Sequence, residues 1–291
     1  MIKEGKRLPP YNRIEKPPNM KFTERDGLIL EAIHAFDGLL ADYQIQRLFF
    51  SGKRQMQYRM SLLFQHGYVA RPDRRRRFSL SSMVYWLDKK GFEYVLGLGN
   101  NNRLRSDSLK EPYWLRIRHD LAVNDFRIDL MEACRLVSNI EFEEWIPQRE
   151  FWAHPDEVNY VGSNGRKMKR RVRPDGFFSI LSSDYRYRFL LEVDMATEDN
   201  PRFAREKVRP GIVYLNSKAF AKRFGNRSGR WLVVTTGERR MANMKRQTEV
   251  AVGEKAEVFY FTTFDKVEPS TLLTSSIWYR GKDNDPIPLV P

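Results

Sequence analysis

The 291-residue sequence contains a single cysteine, Cys134, and lacks any long run of apolar residues. One cysteine excludes a disulfide within the chain and is typical of a protein from a reducing compartment. The apolar runs are a handful of residues long, whereas a membrane-spanning helix needs about 20. The chain opens with a basic, Pro-rich segment and not with an apolar leader. These absences predict a soluble, cytoplasmic protein.

Positive charge is what the sequence has in excess. It contains 51 Lys and Arg against 37 Asp and Glu, a formal net charge of +14, and its 41% hydrophobic residues suffice for a folded core. The first 112 residues contain 21 basic and 12 acidic residues, and the other 179 contain 30 and 25. This balance predicts a polyanionic partner, nucleic acid first, bound mainly by the N-terminal third.

Residues 21–98 predict a winged helix-turn-helix domain that follows an extended, Pro-rich arm over residues 1–20. Three helical patterns come first, and the third is expected to begin at Ser51 and to end at Gly67. Two short strands, YVAR and MVYWLD, follow with a basic turn between them, and DKKGFEYVLGL predicts a closing helix. This order of elements is typical of winged helices.

Two parts of this domain are predicted to contact DNA. The exposed face of the third helix would enter the major groove, and the basic turn would contact phosphates or the minor groove. The predicted contacts are Lys53, Arg54, Gln55, Gln57 and Tyr58 on the helix, and Arg74, Arg75, Arg76 and Arg77 in the turn. Because winged helices also bind proteins, the fold alone does not establish DNA binding.

The rest of the chain predicts an α/β domain over residues 113–265, after a polar linker over 99–112 and before a C-terminal tail over 266–291. The predicted order of its elements is α-β-β-β-α-β-α-β. A long amphipathic helix begins it, and strand candidates lie at 140–145 and 149–152. Strands that alternate with helices in this way predict a mixed sheet flanked by helices.

Three acids mark the ends of two strands predicted in the stretch RRVRPDGFFSILSSDYRYRFLLEVDMATE. Asp175 opens the first strand, and Glu192 and Asp194 close the second. A turn near Asp184 would place Asp175 almost opposite Glu192, since cross-strand neighbours lie about 5 Å apart. Such carboxylates, with a strand carbonyl and waters, suit Mg²⁺ or Mn²⁺. The metal would activate water and neutralise charge on a scissile phosphate.

This layout resembles the PD-(D/E)xK nucleases, with one departure: Asp194 stands where that motif has a lysine. Lys207, on the following helix, could reach back into that place. The preceding basic loop would attract the DNA backbone through Arg166, Lys167, Lys169, Arg170 and Arg171. Alternatively, Asp194 adds a third oxygen ligand for the metal beside Asp175 and Glu192, or the acids are structural and pair with neighbouring arginines or with Lys207. The predicted fold class is α+β, a winged helix followed by a nuclease-like domain.

Seven segments in order resemble the replication-relaxation family of bacterial plasmids and other mobile elements. They are TERDGLILEAI, RMSLLFQHGYVAR, YWLDKKGFEYV, RHDLAVNDFRIDLMEA, RPDGFF, FLLEVDMATE and LVVTTGERR. The resemblance implies DNA processing in replication, relaxation or transfer, with a role for the three acids. It also implies double-stranded DNA, and replication or transfer proteins of the element, as partners.

Other catalytic machinery is absent from the sequence. The four histidines are scattered singly, so a conventional relaxase cluster is excluded, and neither a GxxxxGK[ST] loop nor a CxxC pair occurs. Three functions fit what remains: a mobile-element DNA-binding protein with metal-dependent cleavage, a non-catalytic regulator or initiator with a degenerate nuclease fold, and a protein-interaction scaffold. The sequence sets neither enzymatic activity nor the oligomeric state.

Overall fold

The chain adopts an α+β fold in a computed structural model, as the sequence predicts. The structure describes residues 8–77, 80–98, 111–162, 165–196, 200–225 and 228–290. Two units are formed, Met1–Asp125 and Phe126–Pro291, and the division between them falls inside a helix. Most of the predicted linker, residues 99–110, lies outside the described residues.

The first unit contains short strands among helices. Its elements are α1 (Glu24–Ala35), β1 (Leu40–Ala41), α2 (Asp42–Phe49), α3 (Lys53–Gln65), β2 (Val69–Ala70), α4 (Arg74–Arg77), β3 (Val84–Leu87) and α5 (Lys89–Gly97). The strands form an antiparallel sheet in the order β1-β3-β2. The predicted helices and the predicted strand pair are present in the predicted order. Strand β1 was not predicted, and the predicted basic turn contains one turn of helix, α4.

Helix α3 buries one face and exposes the other. Met56, Met60 and Leu63 are buried, as their spacing predicts. The helix ends at Gln65, and the positive φ of 77° at Gly67, just after the C-cap His66, lets the amide of Tyr68 donate to the carbonyl of Leu63 at 2.9 Å. The predicted start at Ser51 is wrong by one residue. The N-cap is Gly52, whose extended backbone precedes the first helical turn.

A buried ion pair joins α1 to α3. The Asp26 carboxylate accepts hydrogen bonds from the backbone amide of Thr23 at 2.7 Å and from Nε of Arg59 at 2.5 Å. Burial raises the pKa of Asp26, but the hydrogen bonds from Arg59 and Thr23 outweigh it, so the net pKa is lowered. The helix start predicted at Thr23 therefore also fixes α3 against α1.

The first prediction concerns this pair. Because the folded-state pKa of Asp26 lies below its ordinary value of 3.8, the pair stabilises the fold above that pH and loses its contribution as the pH falls further. We expect Asp26→Asn to lower the free energy of unfolding at pH 7. Below pH 3.8, the free energy of unfolding of this variant should fall less steeply with pH than that of the wild type. Urea unfolding between pH 2 and 7 measures both, with the exposed Glu24→Gln as control. An unchanged acid profile in Asp26→Asn would contradict this assignment.

The described part of the N-terminal arm, residues 8–20, contains no helix or strand and lies against the end of α3. Arg13 donates from Nε to the carbonyl of Phe64 at 2.7 Å. The amide of Gln65 donates to the carbonyl of Asn12 at 2.9 Å. These contacts make the arm part of the first unit's fold.

The second unit is built around a mixed seven-stranded sheet. Its elements are α6 (Ile117–Leu136, begun in the first unit), β4 (Ile140–Pro147), α7 (Gln148–Ala153), β5 (Asp156–Val161), β6 (Lys167–Val172), β7 (Gly176–Ser182), β8 (Tyr185–Asp194), α8 (Asn200–Phe203), a π-helical turn (Ala204–Val208), α9 (Arg209–Leu215), α10 (Lys218–Phe224), β9 (Arg230–Thr235), α11 (Glu238–Val252), β10 (Phe259–Thr263), β11 (Trp278–Arg280) and β12 (Pro286–Ile287). The strand order is β12-β11-β10-β9-β8-β7-β4, and β5 and β6 form a separate hairpin. Strands β8, β9 and β10 are parallel, and the other pairs are antiparallel.

Three predictions for this unit are wrong. Residues 149–152 form part of helix α7, because a short apolar run does not distinguish a strand from a helix. The predicted basic loop contains strand β6, whose alternation is hidden by its charges. The predicted tail, residues 266–291, adds β11 and β12 to the sheet, where the side chain of Trp278 is fully buried.

The helical run after β8 changes geometry in its middle. The π-helical turn Ala204–Val208 lies between α8 and α9, directly before Pro210. Proline has no amide hydrogen to donate and disturbs the turn that precedes it. The predicted break at Pro210 therefore appears as a widened turn. Among the described residues, no helix has both the length and the apolar character needed to cross a membrane.

Candidate active site

The hairpin of β7 and β8 places two acids side by side. The strands turn between Ser182 and Tyr185, as predicted, and pair from there to Gly176 opposite Leu191. The paired region ends there, with Asp175 directly before Gly176 and Glu192 directly after Leu191. The hairpin and its register were thus predictable from the polar turn and the apolar strands.

Asp175 is almost fully buried and firmly held. One carboxylate oxygen accepts a hydrogen bond from the backbone amide of Val193 at 2.8 Å, and the other accepts one from the side-chain amide of Gln148. The backbone amide of Asp175 donates to the carbonyl of Leu191 at 2.8 Å. These hydrogen bonds fix the orientation of the carboxylate at the end of the strand.

Glu192 pairs with Lys207, which comes from the π-helical turn. The ammonium group lies 2.8 Å from one carboxylate oxygen and 3.0 Å from the other. The Glu192 side chain is only 10% exposed, and that of Lys207 is 31% exposed. Turns of π-helix inside α-helices often occur at functional sites. Lys207 thus contacts Glu192, a contact that the structural alternative also predicts, and its role as the substitute for the motif lysine stays a prediction.

Asp194 has different partners. Its carboxylate accepts two hydrogen bonds from Arg240, from Nε at 2.5 Å and from Nη2 at 2.7 Å, and a third from Oγ1 of Thr235 at 2.5 Å. Thr235 ends the adjacent parallel strand, and Arg240 lies in the first turn of α11. The carboxylate is thus neutralised by a two-pronged guanidinium contact.

The three acids do not form one cluster. Within the described ranges, no three acidic, histidine or cysteine side chains are grouped so that they could hold a metal ion. Of the ion-pair partners that the sequence suggested for these acids, Lys207 does contact Glu192. Arg170 instead pairs with Glu206 at 2.5 Å, and Arg171 pairs with Glu157 at 3.1 Å.

Most of the residues predicted to bind DNA in the first unit are exposed. The exposed set consists of Lys53, Arg54, Gln55, Gln57 and Tyr58 on α3 and Arg74, Arg75 and Arg76 on α4. Arg76 pairs with Glu111 and lies 5.0 Å from the ring centre of Trp114. Arg77 is half-buried and donates to the carbonyl of Leu80. The helix face is therefore open, whereas the arginine run is partly engaged.

The predicted cations of the second unit divide between two faces. Arg166, Lys167, Lys169 and Arg171 are exposed. Arg170 points inward to Glu206, which Arg202 also contacts at 3.3 Å. Burial raises the pKa of Glu206, but Arg170 and Arg202 outweigh it and lower the net value.

Sequence reasoning missed Gln148, Thr235 and Arg240. Gln148 was hidden because α7 was predicted as a strand. Thr235 and Arg240 follow the strand RWLVVTT, and polar residues at the carboxyl ends of parallel strands are a known signal of a site. That signal was present in the sequence. It did not identify the partner of Arg240, because Asp194 lies 46 residues earlier in the chain.

Comparison with known proteins adds one finding. The family model described as replication-relaxation matches residues 30–225, about two thirds of the chain. No match was found among curated proteins or among solved structures. The match agrees with the resemblance of the sequence segments and supports a role related to replication or relaxation in a mobile element. The chain belongs to the replication-relaxation family.

Proposed function

We propose that this protein binds DNA of a mobile element and cuts it in a metal-dependent reaction at Asp175 and Glu192. The observation that carries the proposal is the placement of these two buried carboxylates at neighbouring positions of adjacent strands, with Lys207 bound to Glu192. Carboxylates are almost never this buried unless they are paired or hold a metal.

The residues at the site fit a hard divalent cation. Asp175 and Glu192 offer oxygen ligands of the type that Mg²⁺ and Mn²⁺ prefer. Gln148 and the amide of Val193 orient the Asp175 carboxylate as outer-shell groups orient metal ligands. Asp194 is less suited to be a ligand, because Arg240 and Thr235 already occupy its oxygens.

Each residue then has a role. The metal, when bound, would lower the pKa of a water molecule and polarise the scissile phosphate. Lys207 would leave Glu192 and place its charge beside the phosphate, the role of the lysine absent from position 194. Asp194 would position Arg240 at the carboxyl edge of the sheet as a second cation near the DNA. Rigid strand ends would hold these groups in place.

A cleavage assay tests the proposal. Supercoiled plasmid carrying the native element is incubated with protein and Mg²⁺ or Mn²⁺, and nicked and linear forms are measured. We expect nicking by the wild type and none by Asp175→Ala or Glu192→Ala. Asp184→Ala is the matched control, since it removes an exposed acid at the other end of the same hairpin. Equal nicking by Asp175→Ala would overturn the assignment.

DNA binding by the first unit gives a further prediction. If five or six cations meet phosphates, the affinity for duplex DNA should fall roughly a thousandfold between 50 and 200 mM salt. Arg74→Ala with Arg75→Ala should weaken binding to all sequences alike, whereas Arg54→Ala or Gln57→Ala should change sequence preference. Fluorescence anisotropy with a panel of duplexes measures both. Salt-independent binding would remove the electrostatic basis of this proposal.

One observation favours a second function, a non-catalytic regulator or initiator that only binds DNA. The acid at position 194, held by Arg240, replaces the lysine of the nuclease motif. The cleavage assay separates the two functions. A protein that binds DNA in a salt-dependent way but neither nicks plasmid nor binds Mn²⁺ is the regulator.

A further inference from the structure

The β5–β6 hairpin has a basic outer face that the proposed chemistry does not use. Residues of β6 alternate in exposure, and those of β5 follow the same pattern. The outer face consists of Lys167, Lys169 and Arg171 and of their β5 partners Val161, Asn159 and Glu157. This face therefore presents three cations along β6 and one acid, Glu157, on β5. We call it the outer ribbon face.

The inner side of the hairpin fixes it in place. Val158, Tyr160 and Val172 belong to the buried core of the second unit. At the base of the hairpin, the carboxylate of Asp156 accepts a hydrogen bond from the hydroxyl of Tyr214 at 2.5 Å. It also forms an ion pair with Arg223 at 2.8 Å. A ribbon held in this way presents its outer cations on a backbone that needs no further ordering on binding.

The ribbon also lies beside the acid pair. Strand β6 ends three residues before Asp175. On its inner side, Arg170 pairs with Glu206, the residue next to Lys207 in the π-helical turn. The inner side of the hairpin is therefore joined through Glu206 to the turn that carries Lys207.

We infer that the outer ribbon face is a second contact for duplex DNA, which it grips by the sugar-phosphate backbone at the edge of the major groove. This inference rests on the proposed function, in that it takes DNA as the partner. The major groove accepts a two-stranded ribbon. The three cations span about 13 Å of strand, and one DNA strand carries about four phosphates over that length.

Glu157 supports this inference because it holds two of the cations. Its carboxylate lies 2.5 Å from the ammonium of Lys169 and 3.1 Å from Nε of Arg171. The pair of cations lowers the pKa of Glu157. Phosphates would compete with this exposed carboxylate for the same donors. Removal of its charge should therefore strengthen DNA binding, whereas a purely structural ion pair would give no such gain.

The test is binding of a non-specific duplex by the full chain, measured by fluorescence anisotropy from 50 to 300 mM salt. For the triple variant Lys167→Ala, Lys169→Ala, Arg171→Ala we expect the slope of log affinity against log salt to fall by about two to three. Glu157→Gln should bind several-fold more tightly. The control removes the same charge from exposed cations elsewhere in the second unit, Arg246, Lys255 and Lys282, and should keep the wild-type slope.

A second measurement does not depend on folded variants. Acetylation of the wild-type protein with and without duplex should show protection of Lys167 and Lys169 and none of Lys255. Wild-type slope in the triple variant, or equal acetylation with DNA, would overturn the ribbon contact and leave binding by α3 standing. If the wild type binds no duplex at all, the proposed function fails and the ribbon contact fails with it.

Discussion

Lys207→Met is expected to reduce plasmid nicking by about 10²- to 10³-fold, the usual cost of losing one charge-stabilising group at a reacting centre. The same variant should bind Mn²⁺ at least as tightly as the wild type. The ammonium group of Lys207 contacts both oxygens of Glu192, at 2.8 and 3.0 Å. A metal must displace this cation, so its removal leaves Glu192 more available. Calorimetric titration with Mn²⁺ and single-turnover nicking measure the two effects separately.

Reduced nicking together with retained or tighter Mn²⁺ binding would show that Lys207 acts in cleavage and not in holding the metal. Arg205→Met is the control, because it removes a cation from the same π-helical turn whose side chain is 56% exposed. It should change neither nicking nor metal affinity. If Lys207→Met nicked at the wild-type rate, Lys207 would be only the counter-ion of Glu192. If it lost metal binding as well, the π-helical turn itself would hold the site together.

Sequence reasoning reached the acid pair because the information there is local. A polar turn, two apolar strands and a period of two set the register, which ends with Gly176 opposite Leu191, next to Asp175 and Glu192. The same reasoning named Lys207, which follows on the next helical run, and the structure pairs it with Glu192. It placed the inward and outward faces of α3 correctly for the same reason.

The features that sequence reasoning missed, strand β6, helix α7 and the contact of Arg240 with Asp194, depend on the tertiary fold. Strand β6 reads as a loop because its outward residues are cations, and only the core beneath shows that Met168 and Val172 turn inward. The segment QREFWA is as compatible with a strand as with α7, so Gln148 could not be placed. Arg240 reaches Asp194 across 46 residues, and no local pattern encodes that contact.

Arg240→Met is expected to destabilise the protein by about 3 to 5 kcal/mol, because it leaves the Asp194 carboxylate buried without its cation. That carboxylate is 9% exposed and keeps only the hydroxyl of Thr235 among its partners described above. Urea unfolding followed by tryptophan fluorescence measures the loss. Arg239→Met, the exposed neighbour on α11, should cost less than about 0.5 kcal/mol.

The reciprocal change decides what Asp194 does. Asp194→Asn should also destabilise the fold, and the double variant with Arg240→Met should recover much of the loss, because no buried charge is then left unpaired. We expect Asp194→Asn to keep Mn²⁺ affinity within a few-fold of the wild type, unlike Asp175→Ala. Loss of metal binding in Asp194→Asn, with stability unchanged, would instead make Asp194 a third ligand and return all three strand-end acids to one site.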